Sequence, residues 1–302
     1  MKNKQLLVLA VIFLALLLVV QGLTYLNRNQ GKPQVKKMYS FTTDQIDQVE
    51  LASPSETVTL QSVSGVWQLT APFSADANTT YVTSLLNTIA NLTTDGTSST
   101  NADKQDTYQV SDTTGLKVTV SGQGKVLATF YLGKTSSDFS HTYVRADGST
   151  AIKTAKGSLS ATFNRKSGDW RNKVIIGISP DSIVSLISAP LEGAPFALAM
   201  DESGAWTIAT GDTPLDQTKV ATFLGAVSSL NATDFVTDSA TLGLDLAKPD
   251  LTLTVQAVPS PFTLQLFTGD DKYYATLNNG TQMYVIAQYS YDSLNKRASD
   301  LM

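Results

Sequence analysis

The chain has 302 residues, of which 42% are hydrophobic and 16% are charged, with a formal net charge of −4 at pH 7. This length holds one large hydrophobic core or two ordinary ones, and the hydrophobic fraction excludes a wholly disordered chain. The sequence contains no cysteine, which excludes disulfides, thiol nucleophiles and thiolate metal sites.

The first predicted element is an uncharged apolar stretch. Leu6 to Leu26 reads LLVLAVIFLALLLVVQGLTYL, and about 20 such residues span the hydrocarbon core of a bilayer as a helix. We therefore expect a cytoplasmic tail over residues 1–4, a transmembrane anchor over 5–26 and a basic stem over 27–37. A cleaved signal peptide is the alternative, but the run exceeds the usual apolar region of about 7 to 15 residues and no A-x-A site follows.

Charge is distributed unevenly along the chain. Residues 1–37 hold six of the 22 Lys and Arg and no acid, so residues 38–302 hold 16 bases against 26 acids, a net charge of −10. This sign excludes nucleic acid as an expected partner. A short tail before a long domain favours a single-pass protein of the cell membrane with a cytoplasmic N-terminus and an extracytoplasmic bulk, although the basic residues on both flanks are ambiguous.

Two of the three tryptophans lie in the same six-residue frame. Ser64–Leu69 reads SGVWQL and Ser203–Ile208 reads SGAWTI. Upstream of these frames, residues 44–49 and 181–186 each open a short strand of alternating apolar and polar residues. A frame that returns together with its flanks indicates an internal repeat.

An amphipathic helix is predicted after each tryptophan frame. Its apolar positions are 82, 85, 86, 89 and 92 in the first copy and 220, 223, 224, 227 and 230 in the second. This spacing places the apolar side chains on one face of a helix. Asp76 and Asp216 precede the two helices, and we expect each of them to be the N-cap.

The agreement between the copies continues into strands and a last turn. The matching segments are Leu116–Val120 with Leu251–Val255, Leu127–Leu132 with Phe262–Phe267, Tyr143–Arg145 with Tyr273–Ala275, and Phe163–Trp170 with Leu294–Leu301. The sequence thus predicts an α+β fold in which an N-terminal transmembrane helix precedes two tandem strand-rich repeats, over residues 38–172 and 173–302. Each repeat has one amphipathic helix packed on a mainly antiparallel sheet.

The paired tryptophans have a structural interpretation in this fold. In each copy we expect glycine to form the hairpin bend and the tryptophan, Trp67 or Trp206, to cover the core of its unit. A paired ligand-stacking role is the alternative, although no polar group converges beside either residue in the sequence.

Two short motifs resemble known chemical signatures, and both are incomplete. Gly133-Lys134-Thr135 ends the stretch ATFYLGKT, but Ala128 replaces the first glycine of a phosphate loop and no helix is predicted to follow. Ser293-Leu294-Asn295-Lys296 fits S-x-x-K without the accompanying S-D-N or K-T-G. We expect no nucleotide site at the first motif and a solvated helix end at the second.

His141 is the only histidine, so a histidine-rich metal site is excluded and any Ser-His-Asp triad must use this residue. It lies in DFSHTYVRADG, just before a predicted strand, and no G-x-S-x-G frame supplies a nucleophile. Its counterpart in the second copy lies near Asp271 or Lys272. We therefore expect a loop histidine without a catalytic role.

The remaining candidate groups are acidic pairs and glycosylation sequons. Asp201-Glu202 and Asp270-Asp271 lie in turn-like sequence and do not fit the calcium-loop pattern. Four sequons begin at Asn78, Asn91, Asn231 and Asn279, and they carry meaning only in a glycosylating secretory pathway. We predict no catalytic, cofactor-binding or metal-binding residues and no cofactor.

Several weak motifs, taken in order, resemble a known family. They are a short N-terminal anchor, a strand, G-x-W, a proline and AD before an L-L-x-x-I-x-x-L helix, then FYLGK, TYVRADG and DWRNKVI. In this order they resemble the bacterial domain-of-unknown-function family 4340 over residues 38–302. The resemblance implies an extracytoplasmic protein, often encoded beside an ABC transporter of the type associated with gliding motility. It brings no catalytic residues, and the second copy departs from it where KYYATLNNG replaces TYVRADG.

Three classes of function follow from these observations. We expect a membrane-tethered extracytoplasmic accessory or interaction protein, not an enzyme, whose partners are the membrane itself and subunits of an ABC transporter or other membrane proteins. A tethered binder of a small ligand or of the cell wall, using a cleft between the copies, is the alternative. An envelope hydrolase acting on carbohydrate or peptide through a carboxylate pair is the third class.

Overall fold

The computed structural model describes residues 2–30, 35–208, 214–269 and 271–302. Over these residues the chain is a strand-rich α+β protein with antiparallel sheets, as the sequence predicts. Its six described α-helices are α1 (Lys2–Gln30), α2 (Thr79–Ala90), α3 (Gln105–Tyr108), α4 (Ser160–Phe163), α5 (Gln217–Ser228) and α6 (Gln288–Leu294). The chain divides into two compact units, Met1–Trp170 and Arg171–Met302.

The predicted anchor lies within α1. Among the residues that the structure describes, no helix combines the length and the apolar character needed to cross a membrane. Of the predicted basic stem, residues 27–30 continue α1 and Lys36–Lys37 form a short strand, β1, while residues 31–34 lie outside the described residues.

A ten-stranded sheet forms the framework of the first unit. After β1, its strands are β2 (Gln48–Ala52), β3 (Thr57–Val63), β4 (Val66–Ala71), β5 (Ala75–Asp76), β6 (Thr93–Ser99), β7 (Leu116–Gly122), β8 (Lys125–Thr135), β9 (His141–Ala146) and β10 (Ile152–Lys156). They lie in the order β1-β6-β10-β9-β8-β7-β2-β3-β4-β5. One face of this sheet packs with α2 in the main core of the unit, which contains Leu60, Leu85 and Phe130.

The second unit has an eight-stranded sheet and a separate two-stranded ribbon. Its strands are β11 (Val174–Gly177), β12 (Ile183–Pro190), β13 (Phe196–Met200), β14 (Trp206–Ile208), β15 (Ser229–Asn231), β16 (Asp234–Phe235), β17 (Leu251–Ala257), β18 (Phe262–Thr268), β19 (Tyr273–Leu277) and β20 (Met283–Ile286). β11 pairs with β15, and the main sheet has the order β14-β13-β12-β17-β18-β19-β20-β16. Its core packs with α5 and contains Leu198, Phe223 and Leu264.

The two sheets share one strand order. Eight strands of the first unit lie in the order β6-β10-β9-β8-β7-β2-β3-β4. The strands of the second unit, taken in the same direction across the sheet, lie in the order β16-β20-β19-β18-β17-β12-β13-β14, so each strand has the equivalent neighbours in both units. Helices α2 and α5 both have 12 residues. All ten predicted apolar positions, 82, 85, 86, 89, 92, 220, 223, 224, 227 and 230, are buried. The helical prediction is therefore confirmed over Thr79–Ala90 and Gln217–Ser228, whereas Leu92 follows the end of α2 and Leu230 lies in β15.

The predicted N-caps are right in one unit and wrong in the other. Asp216 caps α5, because its side chain accepts hydrogen bonds from the backbone N–H groups of Thr218 and Lys219. In the first unit the cap of α2 is Asn78, whose side chain accepts from the N–H of Tyr81. Asp76 instead ends strand β5, since Ala75 and Asp76 pair with β4 before the helix begins.

Two predicted matches between the copies are wrong by one residue. Leu127–Leu132 was matched with Phe262–Phe267, but Leu132 corresponds to Leu266, because the equivalent residues Leu116 and Leu251 pair with them. Tyr143–Arg145 was expected to correspond to Tyr273–Ala275. Val144 and Ala275 are instead the equivalent positions, because each is fully buried in the core beside the helix. A shift of one residue in a strand exchanges the two faces of the sheet, which periodicity alone does not resolve in such short strands.

The paired tryptophans pack against the cores without being fully buried. Trp67 and Trp206 are partly buried against the core of their own unit, each just after a glycine, Gly65 or Gly204, with φ of 84°. That left-handed conformation favours glycine in a tight turn. The fully buried tryptophan is Trp170.

The last turn of each unit returns to the start of its helix. Ser167–Trp170 and Ala298–Leu301 are 3-10 turns whose final side chains are 0% and 1% exposed. The carbonyl of Trp170 accepts from the N–H of Asn78 at 2.7 Å, and the carbonyl of Leu301 accepts from the N–H of Asp216 at 2.9 Å. The predicted match of these two terminal segments is confirmed.

A second, smaller cluster covers part of the opposite face of each sheet. In the first unit, Tyr108 and Val110 from the segment over residues 100–115 pack on Tyr131 and Ile152. In the second, the segment over residues 236–250 contributes Val236, Leu242 and Leu244 against Phe267, Tyr274 and Met283. We call these two segments the crossing segments.

Candidate functional site

His141 begins strand β9 and lies between two carboxylates. Its Nε2 is 2.7 Å from Oδ2 of Asp95 in β6, and Oδ1 of Asp95 accepts a 2.8 Å hydrogen bond from Oγ1 of Thr154. Its Nδ1 is 2.6 Å from Oγ of Ser140, and that hydroxyl is also 2.6 Å from Oδ2 of Asp138. These five side chains are called the His141 network.

The proton requirement of this network defines its chemistry. A carboxylate only accepts, so the contact between His141 and Asp95 needs a proton on Nε2. The hydroxyl of Ser140 has one proton, and when it donates to Asp138, the Nδ1 of His141 must donate to Ser140. All the hydrogen bonds are therefore satisfied together when His141 carries both ring protons.

Both acids of the network stay ionised well into the acid range. Burial alone would raise the pKa of Asp95, but hydrogen bonds from Thr154 and His141 outweigh it and place the pKa below its ordinary value. Hydrogen bonds from Ser136 and Ser140 lower the pKa of Asp138. The network thus joins β6, β9 and β10 in the first unit through side-chain hydrogen bonds.

Arg145 of the TYVRADG motif holds the crossing segment of the first unit. Its side chain is almost fully buried, and Nε donates to the carbonyl of Val110 at 2.7 Å. Its Nη1 donates to the carbonyl of Ser149 at 3.2 Å and its Nη2 to Oδ1 of Asp112 at 2.5 Å. The guanidinium also lies 4.1 Å from the ring centroid of Tyr131. This motif therefore has a structural role that needs the planar fork of arginine.

Gly133 of the LGKT stretch allows a close approach of two backbones. A Cβ at this position would lie 2.3 Å from the carbonyl oxygen of Tyr108 and 2.6 Å from Cγ1 of Val110. The crossing segment could not pass over β8 with a larger residue there. Strand β8 continues to Thr135 and the ring of Tyr108 lies near Lys134, so the stretch has no helix N-terminus of the kind that binds phosphate.

Each unit also has cavities at the same end of its sheet. In the first unit, cavities of about 340 and 290 Å³ share Ser53, Leu116 and Asn164 in their walls. In the second, a cavity of about 430 Å³ lies beside the turn after β12 and the end of α6, and it is lined by Leu191, Asn295 and others. Such volumes fall within the range of small-ligand sites.

The family model named Domain of unknown function (DUF4340) matches this chain twice, over residues 67–247 and 206–302. Together the matches cover residues 67–302, which is most of the chain. The chain belongs to the DUF4340 family. The two matches in this DUF4340 protein begin at Trp67 and Trp206, the two residues of the shared tryptophan frame. No curated protein and no solved structure was found to match it.

The other predicted groups of the DUF4340 protein lie in local structural contacts. Oδ1 of Asp201 accepts hydrogen bonds from Ser203 and from the N–H of Ala205, which hold the turn before β14. Ser293 of the S-x-x-K motif donates to the carbonyl of Tyr289 one helical turn earlier. Asp271 is exposed, and Asp270 lies outside the described residues. Within the described part of the chain, no group of three or more histidine, aspartate or glutamate side chains is placed to hold a metal ion.

Sequence reasoning missed the partners of His141 and one acid of the second unit. Asp95 is 46 residues from His141 in the sequence and joins it only because β6 and β9 both flank β10. The short spacing of Asp138, Ser140 and His141 was a signal that could have been used, since short aspartate and serine side chains cap turns. Asp250, which lines the cavity of the second unit, has no such signal.

Proposed function

We propose that this protein is a membrane-tethered extracytoplasmic accessory protein that binds a partner membrane protein through its second unit. The proposed partner is a subunit of an ABC transporter complex, as the family resemblance implies. The observation that carries the proposal is an uncharged sheet face in the second unit, here called the open face. It comprises Ser185, Ile187, Ala189, Ala197, Ala199, Thr252 and Thr254.

The open face lies on the side of the sheet away from α5. Side chains alternate between the faces of a strand, and the alternate residues, such as Leu186, Leu198 and Leu253, are buried in the core. Ile187 lies opposite Ala197 on β13 and Thr254 on β17, and it is 51% exposed. Ile187 and Ala189 are exposed and the other five residues are half-buried, so Ile187 is the apolar centre of the contact that we propose.

The corresponding face of the first unit is charged. The strand registers align Glu50 with Ile187, because Glu50 pairs with Thr59 and Thr119 as Ile187 pairs with Ala197 and Thr254. They likewise align Lys117 with Thr252. The two units therefore share a fold, but this face of the sheet is charged in the first unit and uncharged in the second. This difference supports partner binding by the second unit, since charges are depleted in interface cores.

Membrane attachment through α1 is part of the proposal. Leu6–Leu26 has no charged residue, and the described side chains from Ile12 to Tyr25 are all exposed. The structure does not support this part of the proposal, because no helix among the described residues is both long enough and apolar enough to cross a membrane. A tether would raise the effective concentration of the open face near a membrane partner, so that a weak contact suffices.

We further propose that the two units are diverged copies of one unit. The common strand order, the equal lengths of α2 and α5, and the start of both family matches at the tryptophan frames support this. Duplication leaves one copy free to change its surface while the fold is kept, which agrees with the difference between the two faces.

A matched pair of substitutions tests partner binding. Tagged wild-type protein and the variants Ile187→Lys and Glu50→Lys are purified from mildly solubilised native membranes, and the captured proteins are identified. We expect transporter subunits with the wild type and with Glu50→Lys, and about tenfold less with Ile187→Lys, because a charge is buried at the centre of the contact. Equal capture by all three proteins would reject the open face as the binding surface.

A hydrolytic function is the second candidate, because His141 contacts both Ser140 and Asp95. This arrangement contains the residue types of a nucleophilic triad. The hydroxyl of Ser140 is also engaged by Asp138. Substitution Ser140→Ala separates the two candidates: loss of a cellular phenotype by a folded protein that still captures its partner would favour the hydrolase.

A further inference from the structure

The loop between β8 and β9 presents an exposed aromatic side chain. Phe139 is 75% exposed, more than any other large hydrophobic side chain among the described residues of the first unit, and its φ of 58° lies in the left-handed region. This conformation is strained for a bulky residue and persists only where the surrounding structure imposes it. Contacts within the loop must therefore hold Phe139 in place.

Hydrogen bonds fix the loop on both sides of Phe139. Its N–H donates to the carbonyl of Ser136 at 2.9 Å, and the N–H of Ser136 donates to the carbonyl of His141 at 2.8 Å. Oδ1 of Asp138 accepts from Oγ of Ser136 at 2.6 Å and from the N–H of Ser140 at 3.1 Å. The ring of Phe139 is thus held in solvent in a fixed position, which lowers the entropy cost of binding a partner.

Two lysines lie beside this loop at the same end of the sheet. Lys156 is the last residue of β10 and pairs with His141, two residues after Phe139. Lys37 of β1 lies in nearly the same row, one strand beyond β10, because β6 pairs with both strands at Thr93–Thr94. Neighbouring strands are about 4.8 Å apart, so the backbones of Lys37 and Lys156 are about 10 Å apart.

Exposed lysines make this end of the sheet basic, although residues 38–302 hold 16 bases against 26 acids. Two acids close to the loop, Asp95 and Asp138, are both hydrogen-bonded within the His141 network. The lysines form no ion pair with any residue in the described part of the chain. Together with Phe139 they are called the basic end, and they are Lys36, Lys37, Lys134 and Lys156.

The basic end lies close to α1 along the chain. Residues 31–34 separate Gln30, the last residue of α1, from Val35. An extended chain spans at most about 3.6 Å per residue, so Val35 lies within about 18 Å of the end of α1. Leu6–Leu26 in that helix has no charged residue. A membrane that takes up this apolar stretch would therefore lie within reach of the basic end.

The corresponding end of the second unit is not basic. Strand β11 pairs with the strand after α5 as β1 pairs with the strand after α2, and it holds no charged residue. By strand register Ala287 takes the position of Lys156. The loop before β19 contains Asp270-Asp271 and no aromatic residue. The basic end therefore belongs to the unit that follows α1 and is not a general property of the fold.

We propose that the basic end docks on the surface of a membrane that contains anionic lipids. The four lysines lie against the lipid headgroups, and the ring of Phe139 enters the boundary between headgroups and acyl chains. Each lysine near such a surface strengthens binding about fivefold. This docking goes beyond the proposed function, which assigns the partner protein to the second unit, and it does not require α1 to cross the bilayer.

A single fluorescent label on the full-length protein tests the docking. The chain has no cysteine, so Ser137→Cys carries one environment-sensitive label beside Phe139. Val126→Cys is the matched control, because Val126 is 64% exposed near the opposite end of β8, about 30 Å away. The protein is mixed with vesicles of phosphatidylcholine, with or without an equal amount of phosphatidylglycerol, that carry a nitroxide on some headgroups.

We expect the label at position 137 to be quenched in the anionic vesicles about threefold more than in the neutral ones, and about threefold more than the label at position 126. Lys37→Gln combined with Lys156→Gln should lower the docked fraction at least about tenfold. Lys125→Gln is the control, since Lys125 is an exposed lysine at the opposite end of β8. Phe139→Ser should also reduce the quenching at position 137.

Flotation of the same vesicles separates docking from attachment through α1. Protein that floats with the vesicles but is quenched equally at positions 137 and 126 would overturn the docking and leave the attachment intact. Quenching at position 137 that is equal in neutral vesicles and unchanged by the lysine substitutions would reject recognition of anionic lipid. Protein that floats with neither kind of vesicle would reject both the docking and the attachment.

Discussion

The backbone N–H of Asn78 donates a 2.7 Å hydrogen bond to the carbonyl oxygen of Trp170. This bond joins the N-cap of α2 to the last turn of the first unit, 92 residues later in the chain (170 minus 78). The bond between Asp216 and Leu301 does the same in the second unit. Each unit is therefore closed by its final residues, whose buried side chains fill the space under its helix.

Substitution Trp170→Ala should destabilise the first unit by about 3 to 5 kcal/mol, because it removes a large, fully buried side chain. Trp170→Phe should cost much less, since Nε1 of Trp170 is buried without a partner in the described residues and its loss leaves no acceptor unpaired. Urea unfolding followed by far-ultraviolet circular dichroism measures both. Trp67→Ala, at a partly exposed site, is the control. A larger loss at Trp67 than at Trp170 would contradict this account of the core.

Removal of either helix cap should have a similar cost in the two units. Asn78→Ala and Asp216→Ala should each lower the free energy of unfolding by about 1 kcal/mol, because each leaves backbone N–H groups of a first turn unpaired. Asp76→Ala should stay within about 0.5 kcal/mol of the wild type, since Asp76 does not cap the helix. A cost at Asp76 equal to that at Asn78 would show that the cap is misassigned.

These caps show what the sequence can and cannot predict. Helical periodicity repeats over three turns, so the large buried side chains of α2 and α5 could be read from it, but not the buried Ala90 and Ser228 at their ends. The cap of α2 could not, because both Asp76 and Asn78 are good capping residues and the choice depends on pairing between β4 and β5. Short strands such as β9 and β19 have too few alternations to fix their register, which explains the error at Tyr143–Arg145.

The candidate sites were less predictable than the fold. The contact of His141 with Asp95 and the hydrogen bonds of Arg145 to Val110 and Asp112 both depend on which segments become neighbours. No local pattern encodes that neighbourhood. The sequence could show that a single histidine and no cysteine limit the chemistry, but it could not show where the polar groups converge.

The His141 network should make stability depend on pH in the acid range. The pKa of Asp95 is lower in the folded protein than its ordinary value, so its contribution is present above the ordinary aspartate pKa of about 3.9 and is lost as the pH falls through the folded value. Asp95→Asn should therefore be less stable than the wild type at pH 7, and the difference should shrink below about pH 4. Unfolding at a series of pH values measures this difference.

The exposed acid Asp44 is the control for this series. Asp44→Asn should give a smaller difference from the wild type at pH 7 than Asp95→Asn, because Asp44 is exposed. A difference between Asp95→Asn and the wild type that grows as the pH falls would have the wrong sign for the proposed charged network.

Arg145 should be sensitive to substitution even by lysine. Arg145→Lys should cost about 2 kcal/mol, since a single ammonium group cannot reproduce the bonds to Val110, Ser149 and Asp112 from one buried position. Asp112→Asn should cost less than about 1 kcal/mol, because Asp112 is largely exposed. Hydrogen exchange of the crossing segment over residues 100–115 reports the loosening directly. Unchanged exchange in Arg145→Lys would show that the arginine does not hold this segment.

Site-specific photo-crosslinking in intact cells tests the central claim most directly. A photoreactive amino acid is placed at position 187 on the open face of the second unit, or at position 50, its counterpart on the charged face of the first unit. Our account predicts a crosslink to an ABC transporter subunit from position 187 and none, or far less, from position 50. Crosslinking of that subunit equally from both positions, or from position 50 alone, would contradict it.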